Sequence, residues 1–166
     1  MKKGLFFKCQ QGASAVEFAI VLPLLLLFVF GIIEFGILLY DKAIITNASR
    51  EGARTAILFD APAGTSQCKS LAYVQSVVTS YCSAHLINFS SSTVTAGNVT
   101  VSPLTVDATG MKYRTVTVSF GYTFLVFPTI LSTFFGGSPA GTIPLNAATT
   151  MRIEDQGLTS ASTNCS

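Results

Sequence analysis

One run of residues limits what this chain can be. From Ala19 to Tyr40 the sequence is about 22 residues of nearly unbroken hydrocarbon, interrupted by one charge, Glu34, and one proline, Pro23. As a helix rising ~1.5 Å per residue it measures roughly 33 Å, enough to cross a bilayer core of ~30 Å. It exceeds the ~7–15 apolar residues of a cleavable secretory signal, and no A-x-A site directly follows it. Any processing is therefore expected ahead of the run, near Gly12, leaving the helix on the mature chain. A composition of 49% hydrophobic and 11% charged residues fits membrane attachment.

Charge narrows the partners. A net charge of +2 with no cluster of Lys or Arg gives no footprint for nucleic acid. Lys2, Lys3 and Lys8 precede the run, and Lys42, Arg50 and Arg54 follow it, so a bare count of positive flanks is a tie. The early lysines belong to a wholly cationic leader, whereas Asp41 and Glu51 dilute the later cations. Three of the four cysteines also follow the run, which suits an oxidising compartment. The expected topology has the N-terminus in the cytoplasm and residues 45–166 outside it.

Beyond the run, Ile44, Ile45, Ala48, Gly52 and Ala56 recur at helical spacing with charges between them. The spacing predicts one helix over 13–58, transmembrane at 19–40 and amphipathic after that. Gly31, Gly36 and Gly52 mark close approaches or tolerated gaps. Pro62 and Gly64 break the pattern. Leu71, Val74, Val77, Val78 and Tyr81 predict a short helix within 69–86, followed by a Ser/Thr-rich loop at 88–98. The period then becomes two: Val116, Val118, Phe120, Tyr122 and Phe124 face one way in a half-buried strand. Val99, Val101, Leu104 and Val106 form a less regular partner across a turn at 107–110, with Pro103 at an edge or bulge. Residues 143–153 alternate again as a third strand. The apolar stretch 128–137 is too short to span and reads as a core helix or covering loop. The fold class is thus α+β: a long helix packed on a small antiparallel sheet. The domains are a leader (1–12), the helix (13–58) and an extracytoplasmic α+β domain (59–166).

The residues at the mouth of the run carry a resemblance. Gly12, then Ala13-Ser14-Ala15-Val16-Glu17-Phe18, resembles the processing site of type IV prepilins, with glycine before the cut and glutamate fifth after it. The Glu-aromatic pair looks most like the Flp branch, with Phe18 in place of tyrosine. Leu22-Pro23, the run from Gly31 to Gly36, Arg50-Glu51-Gly52-Ala53-Arg54 and Met151-Arg152-Ile153-Glu154 extend the likeness to TadE-like proteins, minor pseudopilins of tight-adherence pilus systems. The N-terminal likeness covers about a third of the chain. It implies cleavage between Gly12 and Ala13 by a prepilin peptidase, and pairing of Glu17, beside Phe18, with the new ammonium of a neighbouring subunit. It also implies contacts with pilin, other minor pseudopilins and the inner-membrane assembly platform, with the protein in the inner membrane and the bilayer as solvent. A carboxylate in lipid costs roughly 2.5–3.5 kcal/mol at a helix centre and less at the interface, where Glu17 can instead snorkel.

Glu34, about 25 Å along the helix from Glu17, has no partner that the sequence names. It and Arg50, Glu51 and Arg54 are candidate partner contacts, the last three being equally a solvated face. Cys9 falls in the leader. Cys68, Cys82 and Cys165 allow three single pairings; Cys68–Cys82 closes a 15-residue loop, worth around 3 kcal/mol in the chain-entropy model, with Cys165 as the alternative partner. The cysteines are widely spaced and His85 is the only histidine, so no metal or cofactor is expected. The same lone histidine, without a Gly-x-Ser-x-Gly elbow, a Walker loop or a dinucleotide fingerprint, argues against an enzyme. Two other readings fit the sequence. One is an uncleaved single-span protein binding something through its sheet or Phe127, Phe134 and Phe135; the other is a pseudopilin of a type II secretion or type IV pilus system.

Overall fold

An apolar run followed by an amphipathic one becomes a single helix. In a computed structural model α1 runs over Gln10–Ala56 without a break. The structure describes residues 10–60, 67–87, 93–126, 129, 132, 136 and 142–153, with the side chains of 10, 11, 59, 60, 67 and 68 outside that description. The chain folds as two units, one of Met1–Gly36 with Phe124–Ala140 and the other of Ile37–Thr123 with Gly141–Ser166.

In the first unit, α1 is long and apolar enough to cross a membrane, and its most apolar stretch is unburied. Val16, Ile20, Leu24, Leu26, Phe28, Val29, Ile32 and Ile33 are all exposed, and at ~100° per residue they point around the whole circumference. A helix that is greasy on every side suits lipid rather than water. Chain beyond the sheet returns to this helix at Phe124–Val126. Past it, Thr129 and Ser132 are helical, and the Gly136 amide donates to the Ser132 carbonyl at 3.1 Å. Gly136 has φ +70°, the left-handed backbone that commonly ends a helix. The rest of the 128–137 stretch lies outside the described residues.

In the second unit, the C-terminal part of α1 buries Ile44, Ile45, Ala48, Gly52 and Ala56, the face that the helical spacing predicts, and Ala53 with them. Two short strands follow, β1 (Phe59–Asp60) and β2 (Gln67–Cys68), paired antiparallel. They frame the segment read from sequence as a breaker. Next comes α2 (Leu71–His85), whose N-cap Ser70 accepts a hydrogen bond from the Tyr73 amide at 3.3 Å. Val74, Val78 and Cys82 form its buried stripe.

The sheet is built around β5 (Lys112–Tyr122). On one side β5 pairs with β6 (Ile143–Ile153) along its full length, in the register Val116↔Thr149 and Val118↔Ala147. On the other it pairs with β3 (Val99–Val101) and β4 (Thr105–Val106). The expected single partner over 99–106 is split at Ser102–Leu104. Pro103 cannot donate to the ladder, and the register shifts by one residue across the gap. The 107–110 turn closes as expected. The Asp107 carboxylate accepts from the Thr109 and Met111 amides at 2.8 and 2.9 Å, and Gly110 takes φ +80°. The Thr109 hydroxyl, first among these donors, holds the Asp107 carboxyl below its ordinary value. Strand β5 ends at Tyr122, so Phe124 is not part of it.

Candidate functional site on the long helix

The residues singled out for processing sit at the start of α1. Gly12 and Ala13 lie in its first turn, both exposed, with open space around Gly12. The peptide joining Gly12 and Ala13 is helical. It lies where the helix is weakest, because the first four N–H groups have no intrahelical acceptor. Glu17 and Phe18 follow one turn later, exposed, Phe18 by 63%.

Glu34 is different. It is only 4% exposed although it lies within the apolar run. The Val126 amide donates to its Oε1. Beside it Phe35 meets Phe124, ring centroids 6.1 Å apart and tilted by 56°. The partner that the sequence does not name is thus the backbone just past β5. Nothing near Glu34 in the sequence points there, since Val126 is 92 residues away.

Arg50, Glu51 and Arg54 all lie on the exposed face of α1. Between them Gly52 is buried, and a Cβ built there would stand 2.5 Å from Val78 Cγ2 and 3.1 Å from Val116 Cγ1. The Arg-Glu-Gly-Ala-Arg run therefore combines a charged outer face with a glycine that lets α1 approach α2 and β5. By contrast, nothing lies within 4 Å of a Cβ at Gly36.

Two buried charges were not anticipated. Asp41 is fully buried; its Oδ1 accepts from the Ile87 amide at 3.0 Å, and its Oδ2 has no hydrogen-bond partner among the described residues. Arg114 is 3% exposed and donates through Nη1 to the Ala56 carbonyl at 3.2 Å, at the C-terminal end of α1. There it satisfies a carbonyl that the helix leaves open and faces the negative end of the dipole. Burial lowers its pKa from the ordinary value. A signal existed for both residues. Asp41 precedes Ile44, Ile45 and Ala48 at offsets of three, four and seven, and Arg114 shares the two-residue phase of Val116 and Val118.

Cys82 is a free, buried thiol, pushed up to about 11 by burial. The Cys68–Cys82 loop closure expected from spacing involves a side chain outside the described residues. The side chain of Cys68 and all of Cys165 lie outside the described residues, as does Glu154 of the closing motif. His85 ends α2, exposed, with its Nδ1 2.9 Å from the Tyr81 carbonyl.

No curated protein and no solved structure matches the chain. The likeness to known proteins lies in the helix just described, from the residue before the expected cut to the second arginine of the charged run: residues 12–54 match the family model of TadE-like proteins.

Proposed function

We propose that the chain is a minor pseudopilin, made as a precursor, cut between Gly12 and Ala13 by a prepilin peptidase, and used in assembling a Flp-type, tight-adherence pilus. It spans the inner membrane once, with the N-terminus in the cytoplasm and the sheet-bearing unit outside. One observation carries the reading: the TadE-like match coincides with an exposed apolar helix that carries a glycine–alanine pair in its first turn and bears Glu17 one turn on.

The chemistry follows from position. Cleavage removes the cationic leader and leaves an α-amine at Ala13 with a reference pKa of about 7.7–8.0. Glu17 is four residues further on, and helical side chains lean toward the N-terminus. Its carboxylate is thus presented at the level of that new ammonium, where the positive end of the helix dipole also favours it. The exposed apolar circumference offers packing to pilin and other pseudopilin helices, and the Arg50–Arg54 face offers charge to the assembly platform.

N-terminal sequencing of the protein from native membranes, with and without the resident prepilin peptidase, tests this. A start at Ala13 only when the peptidase is present is the expected result. A start at Met1 in both removes the processing step and the reading with it.

A further inference from the structure

The contact at Glu34 has a consequence for the chain past β5. Glu34 lies six residues inside the Tyr40 end of the apolar run, roughly 9 Å along the helix axis. Anything packed against it shares that depth if the helix crosses a bilayer. Phe124 and Val126 are packed there, through the Phe35 ring and the Glu34 carboxylate. Leu125 between them is 53% exposed, as much as Phe35 on the span and less than Ile32 at 73%.

Non-helical backbone inside a bilayer needs its polar groups satisfied by protein, since lipid offers no acceptor. The Val126 amide has such an acceptor in Glu34. The carboxylate, in turn, is covered on an otherwise lipid-facing helix, which removes the cost of leaving it bare in hydrocarbon. The chain that continues is apolar in sequence, Phe124-Leu125-Val126-Phe127, and Gly136 and Ser132 bond within the backbone beyond.

We propose that residues 124–126 re-enter the half of the bilayer nearest Tyr40, held beside the helix by Glu34, and place Leu125 among lipid acyl chains as a second membrane contact. The partner is the bilayer itself, because the patch is continuous with the surface of the span. The inference rests on the helix crossing a membrane and not on processing or on a pilus.

The chain contains no tryptophan, so one introduced residue is a unique reporter. The full chain is placed in liposomes whose lipids carry bromine midway along the acyl chains. Leu125→Trp is compared with Ile32→Trp on the span and Val106→Trp, an exposed position on β4. Quenching of Leu125→Trp several-fold stronger than of Val106→Trp, and close to Ile32→Trp, is expected. Adding Glu34→Leu should bring it toward the Val106 level, whereas Glu34→Gln, which keeps the acceptor oxygen, should not. If Ile32→Trp is quenched and Leu125→Trp behaves like Val106→Trp, the re-entry is overturned, and 124–126 is left to cover by a partner protein. Quenching that survives Glu34→Leu overturns the anchoring role. If neither Ile32→Trp nor Leu125→Trp is quenched, the helix does not span and the proposal falls with it.

Discussion

Cys82 illustrates how burial decides the chemistry of a single residue. Its thiol is fully enclosed on α2 and pushed up from an ordinary value of 9.0 to about 11 by desolvation. Thiolate is the reactive form, so the folded protein should resist maleimide at neutral pH and react once denatured. The sign of the linkage is fixed by the direction of the shift. The folded state favours the neutral thiol, so its contribution is whole below pH about 9 and is lost as pH rises through about 11. The comparison that isolates the thiol is between the chain and Cys82→Ala. Their stability difference should shrink by roughly 2–3 kcal/mol from the bottom to the top of that window. Equal pH slopes for the two would show that the thiol is more accessible than its burial implies.

Gly52 works at the scale of elements, since it is where α1, α2 and β5 come together. A methyl group there meets Val78 and Val116, both branched and both fully buried, with little freedom to yield. Overpacking typically costs about 1–3 kcal/mol, against a gain of about 1 kcal/mol from replacing glycine by alanine within a helix. The 2.5 Å approach to Val78 puts the cost in the upper part of that range, so Gly52→Ala should destabilise the full chain in detergent by a net amount on the order of 1–2 kcal/mol and lower its thermal midpoint. Gly36→Ala, with nothing nearby, should not lower it. A neutral Gly52→Ala would mean that the elements can slide apart freely. Elements also show what the sequence discloses. Helix α1 and strands β5 and β6 were legible because each repeats its period over 11 or more residues. The β1–β2 pair was not, because two-residue strands carry no period and the segment between them holds Pro62 and Gly64. Site residues follow the same rule. Gly12, Glu17 and the charged run stand out as candidates because their spacing is local. The partner of Glu34, and the role of Arg114 at the end of α1, depend on contacts 92 and 58 residues apart, which no local pattern encodes.

At the scale of the whole molecule the question is whether insertion and assembly can be separated. Insertion depends on the apolar circumference from Ala19 to Tyr40, to which Glu17 adds nothing favourable, since a carboxylate at the mouth of the run only costs free energy in lipid. Assembly, in the proposed reading, depends on that same carboxylate meeting an ammonium at Ala13 of a neighbouring subunit. Glu17→Ala should thus leave the protein in the membrane fraction after alkaline carbonate washing, as fully as the unmodified chain. It should also leave the cut after Gly12 in place, and pilus assembly should fall sharply. Glu17→Asp shortens the reach by one methylene but keeps the charge, so partial assembly is expected. This ordering separates a pairing role from a purely structural one: helix propensity favours alanine over glutamate and disfavours aspartate. A residue serving only the helix would make Glu17→Ala the better-assembling variant. Assembly by Glu17→Ala at the unmodified level would remove the pairing while leaving the membrane helix and its re-entrant contact intact.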